Sequence, residues 1–138
     1  VLIADCVPIL LAAPGVVAAV HAGWRGTAAD IVRIGLRRVC ERAGVGPDSV
    51  RAAVGPAICG RCYRVGPEVV AAIGRVTPGE TWHPTPSHVA LAAANVAILR
   101  DSGVVVEAVE RCTRCDPRLW SHRRDGEAAG RQAGAIRA

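Results

Sequence analysis

The stretch that decides the fold reads ADCVPILLAAPGVVAAVHAGWRG, from Ala4 to Gly26. Within it, two aliphatic runs of strand length, Val7–Ala12 and Val16–Val20, flank the pair Pro14-Gly15. Because Pro and Gly between apolar runs are typical of a turn, we predict an antiparallel hairpin that folds about Ala13-Pro14. Both faces of its strands are apolar, so the hairpin is expected inside a covered sheet.

In the predicted hairpin, Cys6 lies directly opposite His21. Opposed side chains share a face of the sheet, with Cβ atoms about 4.5–5.5 Å apart. A thiolate and an imidazole at that separation can bind one zinc ion, whereas a slip of one residue would send one of them to the other face. Spacing alone favours the alternative interpretation, a buried free cysteine and a histidine with an ordinary hydrogen bond.

Short motifs follow one another along the whole chain: ADCVP, HAGWRGT, GPAI, CY, CT, SHRRDG and GRQAG, which begin at residues 4, 21, 55, 62, 112, 121 and 130. In kind and order they resemble the YfiH-like laccase-domain family, whose members are known as polyphenol oxidases or purine nucleoside phosphorylases. HAGWRG and SHRRDG together are much more specific than any single zinc-like pair. The resemblance implies an α+β fold, a layered mixed β-sheet with packed helices.

The resemblance also implies a catalytic zinc held by His, Cys and His. Cys6 matches the cysteine of the family's ADC motif and His21 matches the histidine of HAGWRG, so these two are the expected catalytic residues and metal ligands. The family's remaining histidine lies upstream of ADC, and this chain begins after that point. We therefore expect residues 1–138 to form a single, N-terminally truncated laccase-like domain.

The resemblance implies a phosphorolysis reaction with adenosine, inosine and methylthioadenosine as substrates. The resemblance also allows an adenosine deaminase activity. The expected partners are a purine nucleoside and phosphate. Zinc can activate water for deamination, and arginine binds phosphate bidentately. The expected substrate-binding residues are Arg25, His122 and Arg123. His122 is equally compatible with a structural role, and Arg123 with a structural ion pair to Asp125.

Three other functions remain open. One is copper-dependent oxidation of phenols, although the chain contains no H-x-H pair of the kind expected at a copper site. Another is editing of peptidoglycan precursors, which would use the same pocket. Non-enzymatic scaffolding is the third.

Composition narrows the class of protein. The chain has 138 residues, 51% of them hydrophobic, and a net charge of +5, which fits one domain with an apolar core. Its basic residues are all arginines and are spread along the chain, and aromatic residues make up only 3%, so nucleic-acid binding is not predicted. No apolar run reaches the length of about 18 residues that a membrane helix needs. We expect a cytoplasmic protein without a membrane partner, and the oligomeric state stays open.

Six cysteines raise a second metal question. Cys59-Gly60-Arg61-Cys62 and Cys112-Thr113-Arg114-Cys115 are both C-x-x-C motifs. Four-cysteine zinc sites usually have about 15–20 residues between their two pairs, and the interval here is far longer. Most of the thiols are therefore expected to be small, reduced, buried or half-buried residues, with a structural zinc or a redox pair as the alternatives.

The remaining elements follow from apolar periodicity and from residues that begin or end helices. A capping box of Thr27 and Asp30 predicts a helix that runs to Ala43. The other predicted elements are a strand at 50–54, a helix at 67–73, a loop at 74–86, a helix that begins at Ser87 and ends before Ser102-Gly103, and strands at 104–109 and 133–136.

Overall fold

The structure, a computed structural model, describes residues 1–138. Its strands are β1 (Leu2–Ile3), β2 (Val7–Ala13), β3 (Val16–Ala22), β4 (Arg51–Val54), β5 (Val105–Ala108) and β6 (Gln132–Ala133). Its helices are α1 (Trp24–Ala28), α2 (Ile31–Ala43), α3 (Pro67–Gly74), α4 (Leu91–Asp101) and α5 (His122–Asp125), and there are 3₁₀ turns at Pro47–Ser49 and Gly126–Ala128.

Four strands form one mixed sheet in the order β3-β2-β4-β5. β2 is antiparallel to both neighbours, and β4 and β5 are parallel. The connection between the parallel strands carries α3 and α4, while β1 and β6 form a separate two-stranded sheet. This arrangement confirms the predicted α+β fold. None of the helices is long and apolar enough to cross a membrane.

The core lies between the sheet and helices α2 and α4. Val7, Ile9 and Leu11 of β2 are fully buried, and each such side chain contributes about 1.5–3 kcal/mol through burial. α2 approaches the hairpin closely at Gly35, where an added Cβ would lie 2.9 Å from Val20 Cγ2. The face of β2 that carries Val7, Ile9 and Leu11 is thus covered, as predicted. Leu10 and Ala12 on the other face are only half-buried, and β3 is an edge strand with an exposed His21.

The predicted hairpin register is wrong by two residues. Ala13 pairs with Val16, so the turn consists of Pro14-Gly15 and not Ala13-Pro14, and the residue opposite His21 is Pro8. Gly15 has φ +71, as the third residue of a type II turn requires, and Pro is favoured at the position before it. This turn chemistry, rather than the apolar pattern, sets the register.

The predicted helix start at Thr27 is also wrong. Thr27 lies inside the short helix α1, is fully buried and exchanges hydrogen bonds with Asn95 of α4. α2 begins only after Asp30, which is left-handed at φ 57, caps no amide with its side chain and instead binds Arg33. A tertiary contact therefore takes the hydroxyl that the sequence suggested for capping.

Other boundaries differ from the predictions by a few residues. α4 begins at Leu91 and not at Ser87, because Ser87 lies in a turn beside His88. The last strand is two residues long and ends at Ala133, where the predicted strand would begin. The strand predicted at 50–54 and the helix predicted at 67–73 occur nearly as expected.

Candidate functional site

The loop between β1 and β2 carries a buried carboxylate at its centre. Asp5 is only 7% exposed and has φ 82, in the left-handed region. Among L-residues, Asp and Asn tolerate this conformation best. The loop therefore holds Asp5, and with it the adjacent Cys6, in one defined orientation.

The partners of Asp5 explain why three distant motifs occur in the same chain. Its Oδ1 accepts a hydrogen bond from the Thr113 hydroxyl, and its Oδ2 accepts one from the Arg123 backbone amide, both at 2.6 Å. The Asp5 carbonyl accepts from the Ile58 amide at 3.0 Å. Asp5 thus brings together four motifs: ADC, GPAI, CT and SHRRDG. Asp5 was not predicted from the sequence as a site residue, although it directly precedes the predicted ligand Cys6.

Cys6 is half-buried and lies against the start of the HAGWRG segment. Its Sγ lies 2.9 Å from the point that a Cβ on Gly23 would occupy, so the absence of a side chain at Gly23 makes room for the thiol. Burial raises the pKa of Cys6, the Asp5 charge raises it further and Arg131 opposes the shift. A free Cys6 is therefore a thiol, and metal binding would have to displace its proton.

His21 is exposed near the end of β3, and its strand partner Pro8 lies two residues after Cys6. The two predicted ligands thus belong to the same end of the hairpin, but they are not directly opposed. Sulfur and imidazole nitrogen are donors that suit zinc, so the residues present fit two positions of such a site. No third histidine, cysteine or acidic side chain of the chain joins them in a group.

Aromatic and basic side chains surround Cys6. The Arg123 guanidinium stacks over Tyr63 at 4.9 Å and donates to the Arg64 carbonyl at 3.0 Å. Burial raises the pKa of Tyr63, whereas the charges of Arg123 and Arg25 lower it. The charges of Cys6 and Asp5 raise the pKa of Tyr63 further.

Three arginines near Cys6 have no carboxylate partner. They are Arg25, which stacks on Trp24 at 4.4 Å, Arg123 and Arg131, and no acidic side chain lies within ion-pair distance of any of them. An arginine without a carboxylate partner keeps its charge available for an anion. The site can therefore bind a phosphate-like group beside Cys6.

The other predicted residues of SHRRDG have structural contacts. His122 is exposed, and its Nδ1 lies 3.0 Å from the Gly126 carbonyl. Asp125 pairs with Arg124 at 2.7 Å, so the alternative ion pair of Arg123 with Asp125 is wrong. The hydrogen bond from Arg124 lowers the pKa of Asp125.

The two C-x-x-C motifs come together in the fold, although the long interval between them argued against a shared site. In what we call the cysteine cluster, the four sulfur atoms lie within 4.8 Å of one another: Cys59, Cys62, Cys112 and Cys115. It is the only group of three or more potential metal-ligating side chains in the chain. Such a cluster can bind a metal ion. Cys40, by contrast, packs against the core.

Comparison with known proteins gives one family model that matches residues 1–138, described as "Multi-copper polyphenol oxidoreductase laccase". A purine nucleoside phosphorylase from Deinococcus radiodurans is 41% identical over 96% of this chain and 54% of its own length. Adenosine deaminase RL5, from an unknown prokaryotic organism, is 40% identical over 93% of this chain and 53% of its own length.

The fold is similar to the crystal structure of YlmD from Geobacillus stearothermophilus, with a TM-score of 0.85 and 37% identity. That match covers 94% of this chain and 53% of YlmD. The chain spans about half the length of the curated relatives it matches.

Proposed function

The chain belongs to the multi-copper polyphenol oxidoreductase laccase family, and from this premise we propose that it contributes the site of a zinc-dependent purine nucleoside phosphorylase. The proposed substrates are adenosine, inosine and methylthioadenosine, each with phosphate, and adenosine deamination is the proposed second activity. The names of the relatives support both reactions, since one is a purine nucleoside phosphorylase and another an adenosine deaminase.

The observation that carries the proposal is that the arginines around Cys6 and Tyr63 have no carboxylate partner. Phosphorolysis needs a bound phosphate next to the nucleoside, and guanidinium groups recognise phosphate through paired hydrogen bonds. Arg25 and Arg123 are both near enough to act on the Tyr63 phenol, and neither has an acidic partner. In the proposal they bind phosphate, and the half-buried Tyr63 ring lies against the substrate.

The proposed zinc ligands are Cys6, His21 and a histidine from a segment upstream of this chain. When bound, zinc supplies a Lewis acid that polarises an oxygen or activates water near neutral pH. Cys6 would ligate as the thiolate, and Gly23 leaves the space that its sulfur needs. Asp5 positions both Cys6 and the Arg123 amide through its buried hydrogen bonds.

A second candidate, copper-dependent oxidation of phenols, is favoured by the description of the matching family model. Copper sites in proteins draw largely on imidazole ligands. The four histidines of this chain form no group of three with one another or with other ligands. Cys6 and His21 together offer sulfur and imidazole nitrogen, the donors that zinc sites use, and the names of the relatives support purine chemistry. We therefore favour zinc and purine chemistry over a multi-copper centre.

An activity assay tests the proposal. The full-length protein is supplied with inosine and phosphate, and the release of hypoxanthine and ribose 1-phosphate is measured. Cys6→Ala should lower kcat/KM by about a hundredfold or more, because the metal contributes several kcal/mol to the transition state. Arg123→Gln should raise the KM for phosphate about tenfold, as expected for one charge-assisted hydrogen bond. Arg137→Gln, at an exposed position near the end of the chain, is the matched control and should leave both constants unchanged.

Two results would contradict the proposal. One is the absence of both products with zinc-loaded enzyme. The other is oxidation of a phenol by the copper-loaded enzyme without any turnover of nucleosides, which would favour the second candidate.

A further inference from the structure

We propose that the cysteine cluster binds one structural zinc ion, at a site separate from Cys6 and His21. The two motifs are about fifty residues apart in the chain, and the fold alone brings them together. The proposal does not depend on the reaction that the protein catalyses.

The distances fit a tetrahedral ion. With zinc–sulfur bonds of about 2.3 Å, the sulfur atoms of a four-thiolate site lie about 3.8 Å from one another. All sulfur pairs in the cluster are within 4.8 Å, and the Sγ atoms of Cys62 and Cys115 are 3.5 Å apart. Four thiols at these mutual distances can surround one ion, whereas two disulfides would need two separate bonded pairs.

The parallel strands β4 and β5 produce this arrangement. Their pairing continues past the strand ends as a parallel bridge between Ala57 and Cys112. A turn then follows in each C-x-x-C segment: the Tyr63 amide donates to the Cys59 carbonyl at 3.0 Å, and the Asp116 amide donates to the Cys112 carbonyl at 2.9 Å. Two similar turns at neighbouring strand ends thus each present a pair of thiols to a common centre.

A backbone amide points at one of the four sulfur atoms. The Cys59 amide donates to Cys112 Sγ at 3.3 Å. A hydrogen bond from a backbone amide to a ligating sulfur orients the ligand and offsets its negative charge when a metal is bound.

The charges around the cluster are complementary to a bound ion. Four thiolates with one Zn²⁺ carry a net charge of −2, which nearby cations stabilise. Arg61 and Arg114 occupy the same position in the two motifs, directly before the second cysteine, and neither has a carboxylate partner. Both remain available to offset this charge.

A zinc ion here would also hold the candidate active site in place. Tyr63 directly follows Cys62, and Thr113, which donates to Asp5, directly follows Cys112. The metal would thus fix two residues that border Cys6. We therefore assign the ion a positioning role and not a catalytic one.

Metal analysis of the full-length protein, purified with a reductant and without chelator, tests the site. The double variant Cys59→Ser with Cys112→Ser should lose one equivalent of zinc per chain, whereas the control Cys40→Ser should lose none. Cys6→Ala should leave this equivalent of zinc in place. A failure of the proposed zinc site at Cys6 and His21 can therefore be distinguished from a failure of the proposed site in the cysteine cluster.

Thiol titration of the folded wild-type protein gives a second measurement that does not require a variant to fold. The four cluster cysteines should react only after a chelator is added, and Cys6 should join them where the proposed catalytic zinc is also bound. The proposal is overturned by unchanged zinc in the double variant, by iron in place of zinc, or by cluster thiols that react equally well without chelator. A non-reduced mass lower by about four hydrogens would overturn it too, because two disulfides would then occupy the cluster.

Discussion

Asp5 connects its own loop to two segments that lie more than one hundred residues later in the sequence. Its carboxylate accepts from Thr113 and from the Arg123 amide, and its left-handed backbone turns the chain so that Cys6 faces Gly23. The two hydrogen bonds stabilise the folded protein chiefly because both donors are satisfied. If the carboxylate were removed, a buried donor would be left without a partner, which is costly. The same residue thus stabilises the fold and orients the proposed ligand.

Replacement of this residue tests its structural contribution. Asp5→Ala should lower the free energy of unfolding by about 3 kcal/mol, since it leaves the Thr113 hydroxyl buried without a partner and places Ala in the left-handed region. Asp5→Gly removes the carboxylate without that backbone cost and should lose less. Urea denaturation measures both, with the exposed Asp48→Ala as the control. An Asp5→Ala variant within about 0.5 kcal/mol of wild type would show that the two hydrogen bonds contribute little.

Helices α1 and α4 are joined by one buried polar contact. The Asn95 amide donates to Thr27 Oγ1 at 3.1 Å and to the Leu91 carbonyl at 2.7 Å. Both Thr27 and Asn95 are fully buried. Because α1 begins only three residues after His21, this contact also helps to fix where the end of β3 lies relative to α4.

Two threonines allow a matched test of that contact. Thr27→Val should lower the free energy of unfolding by about 1–2 kcal/mol, because Asn95 loses its partner in a dry environment. Thr77 is similarly buried, but its hydroxyl has no hydrogen-bond partner. Thr77→Val should therefore be neutral or stabilising. Equal losses in the two variants, measured by thermal and urea unfolding, would mean that the loss reflects packing and not the hydrogen bond.

The elements of this fold were predictable to different degrees. Apolar patterns located the hairpin strands and α3, since those signals are local. The helix start at Thr27 was mispredicted because a contact with Asn95, 68 residues away, decides it. The predicted register was wrong although the sequence contained the signal for the correct one. A Pro-Gly pair favours the two central positions of a type II turn, which places the turn at Pro14-Gly15.

The cysteine cluster shows why long-range sites escape such reasoning. Nothing near either C-x-x-C indicates the other, and the usual spacing rule assumes that both pairs lie in one small unit. The available signal was topological: each motif follows a strand by about four residues, and β4 and β5 are parallel neighbours. Parallel neighbouring strands have their carboxyl ends at the same edge of the sheet. A motif that follows each of the two strands at a similar distance is therefore brought close to its counterpart.

The four-stranded sheet has one face that is not covered by helices, and its edge strands, β3 and β5, have no strand partner on their outer sides. Val105 on β5 is 52% exposed. Near it, Leu10 and Ile136 line a shallow cavity of about 210 Å³ on the sheet. Unpaired strand edges beside exposed apolar side chains promote association between chains.

We therefore expect the 138-residue chain, expressed alone, to self-associate in a concentration-dependent manner. Light scattering coupled to size-exclusion chromatography measures this. Val105→Glu should reduce the association, because a charge on the β5 edge opposes strand pairing. Ala71→Glu, at an exposed position of α3, adds the same charge elsewhere and should not reduce it. If the chain stays monomeric at every concentration, its own residues suffice to protect the sheet; if both variants reduce association equally, net charge and not the β5 edge controls it.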